Sequence, residues 1–300
     1  MTQYAEWFEH LRSSVPLDDF DVIEVPSYYP FAHLIKKGPR TRLRLVLHGM
    51  NSHLLAAGYE NHATLFEYVR GWQRLEVASV ASADEIVAAS LAEKASFEEQ
   101  FGYSGDVTVP SPFLFLPSLA SAPRIEPLAA TNSVQQTDAL NLIYVGPLDG
   151  VHEPHRLSEV RRRVSRHNVN LKAYGPSLKF RANESSSIIR TIAPEIEISQ
   201  SSATWWELED PDITIVVYPG RATVNWLPLH AVMRGYTVCL SDRAGCKQMF
   251  DDCGLEYARV EDTTALEPLP RAVRLENIGR MLSALRSNVA SPSAELGEHA

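Results

Sequence analysis

The chain has little cysteine and no excess of positive charge. Its three cysteines, Cys239, Cys246 and Cys253, are odd in number and lack CxxC spacing. This pattern favours reduced intracellular thiols over a disulfide framework or a zinc site. The formal net charge of -9 argues against a general nucleic-acid surface, because binding to phosphate depends on clustered lysine and arginine.

Long apolar runs are also missing. No run approaches the roughly 20 residues needed to span a bilayer, and the N-terminus has neither the basic nor the apolar region of a signal peptide. We therefore expect a cytoplasmic protein without a transmembrane segment. The run Arg161, Arg162, Arg163 with Arg166 leaves peripheral attachment to the inner face of a membrane open, although such a run is most often a solvated helix face.

Several catalytic motifs are absent. No GxGxxG, GxxxxGK[ST], HExxH or GxSxG pattern occurs, which sets aside the dinucleotide, phosphate-loop, zinc-protease and hydrolase classes that depend on them. No cofactor is therefore expected. His152 and His155, with Glu153 between them, lack a third and a fourth ligand, so we also expect no metal site.

Apolar segments that suit strands alternate with helical patterns along the chain. We predict strands at 20–25, 43–47, 85–90, 107–110, 142–145, 171–174, 213–217 and 236–241, and helices at 4–11, 65–83, 91–101, 156–166 and 271–286. This alternation indicates βαβ units, parallel sheets and an α/β fold. One face of the last helix is expected to carry Leu275, Ile278, Leu282 and Leu285.

The composition divides the chain into two domains. Residues 117–138 are rich in serine, alanine, proline and threonine and show little apolar periodicity, which is typical of a linker. We predict an N-terminal domain at 1–118, a linker at 119–138, a C-terminal domain at 139–288 and a disordered tail at 289–300.

Residues 213–245 carry the most informative pattern. A strand is followed by the loop Tyr218-Pro-Gly-Arg-Ala-Thr-Val-Asn225, by a helix that opens near Trp226 and by a strand that ends in Asp242-Arg-Ala-Gly245. This pattern resembles the donor-binding half of the GT-B glycosyltransferases, specifically the family-4-like retaining enzymes. Further blocks match that family in order, namely Leu45-Val-Leu-His48-Gly49, Ala83-Asp-Glu-Ile-Val-Ala-Ala-Ser90, Leu142-Ile-Tyr-Val-Gly146 and Leu171-Lys-Ala-Tyr-Gly175.

The resemblance implies two Rossmann-like lobes, an acceptor lobe followed by a donor lobe, with catalysis in the cleft between them. The N-terminal lobe is reduced, because the family's first strands and Gly-rich loop have no counterpart before the segment that starts at Phe20. The implied activity is transfer of a hexose from a nucleotide sugar to a carbohydrate or lipid-linked acceptor, as in polysaccharide biosynthesis. His48 is the catalytic candidate and would face the donor sugar.

The charged residues of the family's donor site are replaced in this chain. The two glutamates fall on Ala222 and His230, and the arginine and lysine fall on Pro147 and His152. Main-chain amides of residues 220–225, with the charge of Arg221, would instead hold the diphosphate at a helix N-terminus. The expected donor-binding residues are Gly146, His152, Gly220, Arg221, Ala222, Thr223, Val224, Asn225 and His230.

Several alternatives stay open at this point. Thr223 or Asn225 could simply cap the helix, and residues 152–156 suit either a phosphate clamp or a solvated loop. Trp205 and Trp206 suit lobe packing better than a sugar platform. The lost acidic residues also favour an alternative function, in which a catalytically inactive protein is a binding or partner subunit of a complete transferase. An uncovered sheet edge in the reduced lobe would suit a protein partner or a second copy of the chain.

Overall fold

The computed structural model describes most of the chain, in residues 6, 9–10, 13–47, 63–110, 139–148, 152–165, 168–177, 179–180, 183–200, 205–220, 226–262 and 264–289. The chain divides into two compact units, Met1–Pro110 and Ser111–Ala300. The predicted linker at 119–138 lies outside the described residues, and so does the predicted tail apart from Val289. None of the described helices is both long and apolar enough to cross a membrane.

The first unit contains a three-stranded parallel sheet in the order β1 (Val22–Pro26), β2 (Arg42–Leu47) and β3 (Glu85–Ala88). Helix α1 (Ala63–Ser82) links β2 to β3, and helix α2 (Leu91–Phe101) follows β3. All of these elements lie close to their predicted bounds. Their order is that of βαβ units, as the alternation of strand and helix patterns indicates.

Alternation of side chains fixes the register of this sheet. The leucines of β2 are fully buried. Arg44, which lies between two of them in sequence, forms ion pairs with Glu24 on β1 at 2.7 Å and with Glu85 on β3 at 2.9 Å. A slip of one residue would exchange the two faces and bury the arginine without its partners, so this register is strongly specified.

The second unit contains a six-stranded parallel sheet. Its strands, from one edge to the other, are β8 (Glu197–Ser199), β5 (Val169–Tyr174), β4 (Leu140–Val145), β9 (Thr214–Tyr218), β10 (Thr237–Leu240) and β11 (Ala258–Arg259). Numbered in chain order within this sheet, the strands read 3-2-1-4-5-6, which is the Rossmann order. The order reverses between β4 and β9, and this reversal is the switch point of the sheet.

The central strands of this sheet are covered on both faces. Every residue of β4 and of β9 is buried, as expected for parallel strands that are flanked by helices and rich in valine, isoleucine and leucine. The helices of the unit are α3 (Leu157–Arg161), α4 (Ser185–Ile192), α5 (Trp205–Leu208), α6 (Trp226–Met233), α7 (Lys247–Asp252) and α8 (Arg271–Val289).

A buried carboxylate ties the centre of the sheet to the segment before β9. The side chain of Glu209 is completely buried and accepts hydrogen bonds from Asn141 on β4 at 2.8 Å and from Lys172 and Tyr174 on β5 at 2.8 and 2.5 Å. A buried charge is tolerated when it is paired and its oxygens are hydrogen-bonded. Glu209 therefore joins two strands and a connecting segment through one group.

The short elements were not predicted. The edge strands β8 and β11 and the antiparallel hairpin of β6 (Lys179–Phe180) with β7 (Asn183–Glu184) have too few residues for an apolar run. The strand predicted at 107–110 is reduced to a single parallel bridge between Val87 and Thr108.

The basic helix predicted at 156–166 is wrong in its extent. A single 3-10 turn, Pro154–Arg156, leads into α3, which ends at Arg161. The main-chain carbonyl oxygen of Arg163 accepts from the amide of Leu266 at 3.2 Å rather than from a further helical turn. The Arg163 guanidinium donates to the carbonyl oxygens of Arg259 and Val260. One member of the arginine run therefore binds the protein itself, and the run is not simply a solvated face.

The apolar face predicted for the last helix is buried only in part. Ile278 is buried in α8, but Leu275 is 51% exposed and Leu282 is exposed as well. The buried face instead includes Arg274, whose guanidinium donates to the carbonyl oxygens of Leu269, Pro211 and Gly235 and pairs with Asp212. Three main-chain acceptors and a carboxylate compensate the burial of this charge, so periodicity of apolar residues alone misplaces the face.

Candidate functional site

The carboxyl ends of β4 and β9 lie side by side at the switch point. Leu142 and Ile143 of β4 pair with Ile215 and Val216 of β9. The residues that follow the two strands, Gly146 after β4 and Pro219-Gly220 after β9, therefore lie at the same edge of the sheet. Open α/β sheets bind ligands in the crevice outside this edge where the strand order reverses. Two glycines predicted to bind the donor thus follow neighbouring strands at the expected edge.

Gly146 is fixed by the neighbouring strand. Its amide donates to the carbonyl oxygen of Tyr174 at 2.9 Å, and the amide of Gly175 donates to Ser199 at 2.9 Å. The hydroxyl of Tyr144 donates to the carbonyl oxygen of Pro147 at 2.9 Å. The turn after β4 consequently has a defined path along the edge of the sheet.

Arg156 joins the loop after β4 to the loop after β9. Its Nη1 donates to the carbonyl oxygen of Pro219 at 2.8 Å and lies 3.3 Å from the carboxylate of Glu153, and its Nε donates to Glu159 at 3.0 Å. Burial alone would lower the pKa of the guanidinium, but the hydrogen bonds and charges of the two glutamates outweigh burial and raise the pKa. Among the described residues, no hydrogen bond from Nη2 is found, so its hydrogens are available to a ligand.

Ser241 holds Gly220, in the loop after β9. Its hydroxyl donates to the carbonyl oxygen of Gly220 at 3.2 Å, and its amide donates to Tyr218 at 3.0 Å. The same hydroxyl accepts from the amide of Arg243 at 3.2 Å. The loop after β10 therefore holds the loop after β9 through one serine side chain.

Tyr218, the last residue of β9, has a completely buried side chain. Burial, with a smaller contribution from Cys246, raises the pKa of its hydroxyl well above the usual value. This hydroxyl has no hydrogen-bond partner within the described part of the chain. The sequence predicts Tyr218 as the first residue of the loop after the strand at 213–217, whereas it is the last residue of β9. No signal in the sequence shows that its hydroxyl is unpaired.

His155, in the loop after β4, differs from Arg156 in charge. Burial lowers the pKa of His155, and the carboxylates of Glu153 and Glu159 only partly oppose this effect. His155 is therefore neutral at pH 7. His152 lies in the same loop and is half-buried. Of this predicted phosphate clamp, Arg156 is the permanent cation.

His230 lies against aromatic rings. Its ring centroid is 5.1 Å from that of Trp206 and 6.3 Å from that of Trp205, which is fully buried in the core. Burial lowers the pKa of His230, and the charge of Arg234 lowers it further. The structure brings Gly146, Gly220 and the His152 loop to one edge and places the His230 ring on the tryptophan pair. A role of His230 in donor binding stays a prediction.

The remaining predicted site residues lie outside the described residues. These are His48, directly after β2, and Arg221, Ala222, Thr223, Val224 and Asn225, between Gly220 and α6. Within the described part of the chain, no group of three or more histidine, cysteine, aspartate or glutamate side chains is arranged to hold a metal ion.

Comparison with known proteins gives matches in structure only. No protein-family model and no curated protein sequence matches the chain. A solved structure described as trehalose-6-phosphate from E. coli bound with UDP-2-fluoro glucose matches 95% of this chain and 73% of its own, with a TM-score of 0.60 and 14% identity. A UDP-forming trehalose-phosphate synthase from Burkholderia xenovorans matches over the same shares, with a TM-score of 0.56 and 16% identity.

A third match extends the comparison to another synthase. Sucrose-phosphate synthase from Thermosynechococcus elongatus matches 93% of this chain and 69% of its own, with a TM-score of 0.50 and 12% identity. At such identities the likeness concerns the fold. Together with the parallel sheets of both units and the strand order of the second, these matches confirm the expected architecture: the chain has the GT-B fold of glycosyltransferases, with two Rossmann-like lobes of which the N-terminal one is reduced.

Proposed function

We propose that the protein transfers a hexose from a nucleotide sugar to a carbohydrate acceptor, without a metal ion. The proposal depends on one observation, the position of Gly146 and Gly220 after two neighbouring strands, β4 and β9, at the switch point of a sheet in Rossmann order. Glycines there let the main chain approach a phosphate closely. The fold is shared with a protein described as bound with UDP-2-fluoro glucose, which supports this edge as the donor site.

Stabilisation of the leaving diphosphate is the chemistry that the site must supply. Glycosyl transfer develops positive charge on the anomeric carbon and negative charge on the departing phosphate. Arg156 donates its Nη2 hydrogens to the diphosphate while Nη1 and Nε hold the two loops in place. The amides of residues 220–225 and the side chain of Arg221 complete the anion site, since planar guanidinium groups suit phosphate oxygens.

The sugar end of the donor is assigned to His48. This residue directly follows β2, and ligands of parallel sheets lie beyond the carboxyl ends of the strands. Its imidazole hydrogen-bonds the reacting hexose. His155, whose pKa is lowered by burial, provides a neutral hydrogen-bond donor or acceptor in the donor lobe rather than charge.

A second candidate function is a non-catalytic partner subunit of a complete transferase. The contacts of His230 favour it, because this residue stands where the family has a glutamate and its described neighbours are tryptophan rings. In this function the fold keeps nucleotide binding or a protein interface and has lost turnover.

A thermal-shift screen of the full chain with UDP-, GDP- and dTDP-sugars tests both functions. A ligand at about a hundred times its dissociation constant should stabilise the protein by roughly 2.7 kcal/mol. We expect a shift with at least one nucleotide sugar, loss of that shift in Arg221→Ala, and hydrolysis or transfer that His48→Ala abolishes while the shift remains. A shift without any turnover supports the partner subunit. No shift with any nucleotide contradicts donor binding altogether.

A further inference from the structure

Two neighbouring tyrosines are exposed at the carboxyl end of β1. Tyr28 and Tyr29 follow the strand by two and three residues, and their side chains are 46% and 57% exposed. Their ring centroids are 4.7 Å apart with an interplanar angle of 55°. Soluble proteins expose large aromatic side chains in contact with each other far less often than they bury them, and such pairs are typical of binding sites.

The main chain holds this pair in a defined position. The amide of Tyr29 donates to the carbonyl oxygen of Pro26 at 3.0 Å, and the amide of Phe31 donates to Tyr29 at 2.7 Å. Phe31 is buried and packs against Trp72, with ring centroids 5.9 Å apart. The two tyrosines are thus presented by a turn that is anchored directly beside them.

Another exposed apolar residue lies at the same edge of the sheet. Strand β3 ends at Ala88, and Leu91, the first residue of α2, is 52% exposed. Ser90 caps the N-terminus of this helix, because its hydroxyl accepts a hydrogen bond from the amide of Glu93 at 3.1 Å. Since the strands are parallel, the ends of β1 and β3 face the same side, and β2 between them leads in sequence into His48.

Permanent positive charge is missing from the segments that follow these strands. Residues 27–35, 48–62 and 89–93 contain no lysine or arginine. Lys36, Lys37 and Arg42 lie instead near the opposite edge, where Lys37 pairs with Asp84 just before β3. Half-buried His33 has a pKa lowered by burial, so it adds no charge at pH 7. The next cation in sequence, Lys94, donates to the carbonyl oxygen of Val107 at 3.2 Å. The described residues 27–35 and 89–93 therefore offer a phosphate none of the arginine or lysine partners that phosphate recognition uses.

We propose that Tyr28 and Tyr29 form an acceptor platform that selects a neutral carbohydrate over a phosphorylated one. The inference rests on the proposed glycosyl transfer and names its acceptor class. One face of a pyranose ring carries C–H groups and is apolar, so it covers an aromatic ring, while its hydroxyl groups remain in water. An added phosphate would meet no arginine or lysine in the described residues 27–35 and 89–93.

Glycan binding to the full chain tests the platform. Labelled protein is applied to an array of neutral and phosphorylated mono- and oligosaccharides, and the glycan bound best is titrated by calorimetry. We expect neutral glycans to bind in preference to their phosphorylated forms. Because stacking removes apolar surface of both partners from water, the double variant Tyr28→Ala/Tyr29→Ala should lower the affinity by at least about tenfold. The double variant Tyr28→Phe/Tyr29→Phe, which keeps both rings, should retain it.

Phe20 provides a matched control. It is an aromatic residue of similar exposure, 48%, that precedes β1 and so lies at the amino edge of the same sheet. Phe20→Ala should leave glycan binding unchanged, and all of these variants should keep the thermal shift of the wild type with nucleotide sugars.

Three results would overturn the platform. These are preferential binding of phosphorylated sugars, unchanged affinity in the folded double alanine variant, and binding of a nucleotide sugar without binding of any glycan. Tyrosine-dependent glycan binding in a protein that no nucleotide stabilises has a different meaning. It contradicts the proposed donor function but supports carbohydrate binding at Tyr28 and Tyr29. Failure of the proposed glycosyl transfer is therefore distinguishable from failure of the platform.

Discussion

Gly175 approaches Gly146 so closely that a Cβ atom on Gly175 would lie 1.7 Å from the carbonyl oxygen of Gly146. Both residues directly follow paired strands, β5 and β4. No side chain can be accommodated at Gly175 without displacing the turn that contains Gly146. The close approach therefore makes a glycine obligatory at the edge where the donor is proposed to bind.

Gly175→Ala should destabilise the protein by more than about 3 kcal/mol, because a methyl group against a fixed carbonyl forces main-chain movement. Urea unfolding followed by circular dichroism measures the effect. Gly279→Ala is the matched control, since a Cβ atom at Gly279 in α8 meets no atom within 4 Å. It should stabilise the helix by about 0.5–1 kcal/mol. Equal effects of the two substitutions would contradict the close approach.

Arg156→Lys should weaken binding of the stabilising nucleotide sugar by about tenfold or more, because lysine keeps the charge but cannot bond Pro219, two glutamates and a phosphate together. Calorimetric titration with that nucleotide sugar measures the loss. Arg162→Lys is the control, since Arg162 is an exposed arginine of the same segment. Unchanged affinity in Arg156→Lys would show that the guanidinium fork does not shape the donor site.

Tyr218→Phe should stabilise the protein by about 1 kcal/mol, because it removes a buried hydroxyl that has no partner in the described part of the chain. Tyr236→Phe should have the opposite sign. The Tyr236 hydroxyl donates to the carbonyl oxygen of Glu209 at 2.7 Å, and its loss leaves that buried acceptor with one partner fewer. Thermal unfolding of both variants gives the comparison. A clear loss of stability in Tyr218→Phe would contradict an unpaired hydroxyl at this position.

Stability should fall as the solution becomes acidic, in part because of His230. Its pKa in the folded protein is below the ordinary value of 6.5. The unfolded chain therefore takes up the proton first as the pH falls below about 6.5, and the free energy of unfolding decreases from there down to the folded pKa. Well above 6.5 the histidine is neutral in both states and contributes no pH dependence.

The variant His230→Phe isolates this contribution and keeps an aromatic ring against Trp206. In urea unfolding between about pH 5 and pH 7, the slope of stability against pH should be smaller than in the wild type by up to about 1.4 kcal/mol per pH unit. His33 and His155, whose pKa values are also lowered by burial, remain in the variant and keep part of the slope. Identical slopes in the two proteins would contradict the burial of a neutral His230.

The sequence predicts the parts of this fold that depend on long apolar segments. Strands β4, β9 and β10 and helix α2 are found close to their predicted positions. Over segments of this length, the spacing of apolar residues distinguishes a strand from a helix. The order of the matched blocks placed Gly146 and Gly220 in one site, and their strands are neighbours in the sheet.

Other features depend on contacts between residues far apart in sequence. The buried face of α8 includes Arg274 because acceptors at 211, 235 and 269 surround its guanidinium. The tie from Arg156 to Pro219 joins residues 63 positions apart. Neither set of hydrogen bonds can be predicted from the residues next to these arginines in sequence. Charged residues that a sequence pattern assigns to the surface can therefore be buried and stabilise the fold.

The outermost strands of the large sheet have only three and two residues, at Glu197–Ser199 and Ala258–Arg259. A strand of another chain that paired with either edge would form only a few main-chain hydrogen bonds, so this pairing would be only weakly stabilised. The second unit is thereby protected from ordered stacking with copies of itself, and the exposed charged side chains of Glu197 and Arg259 on these two strands add to the protection that brevity gives.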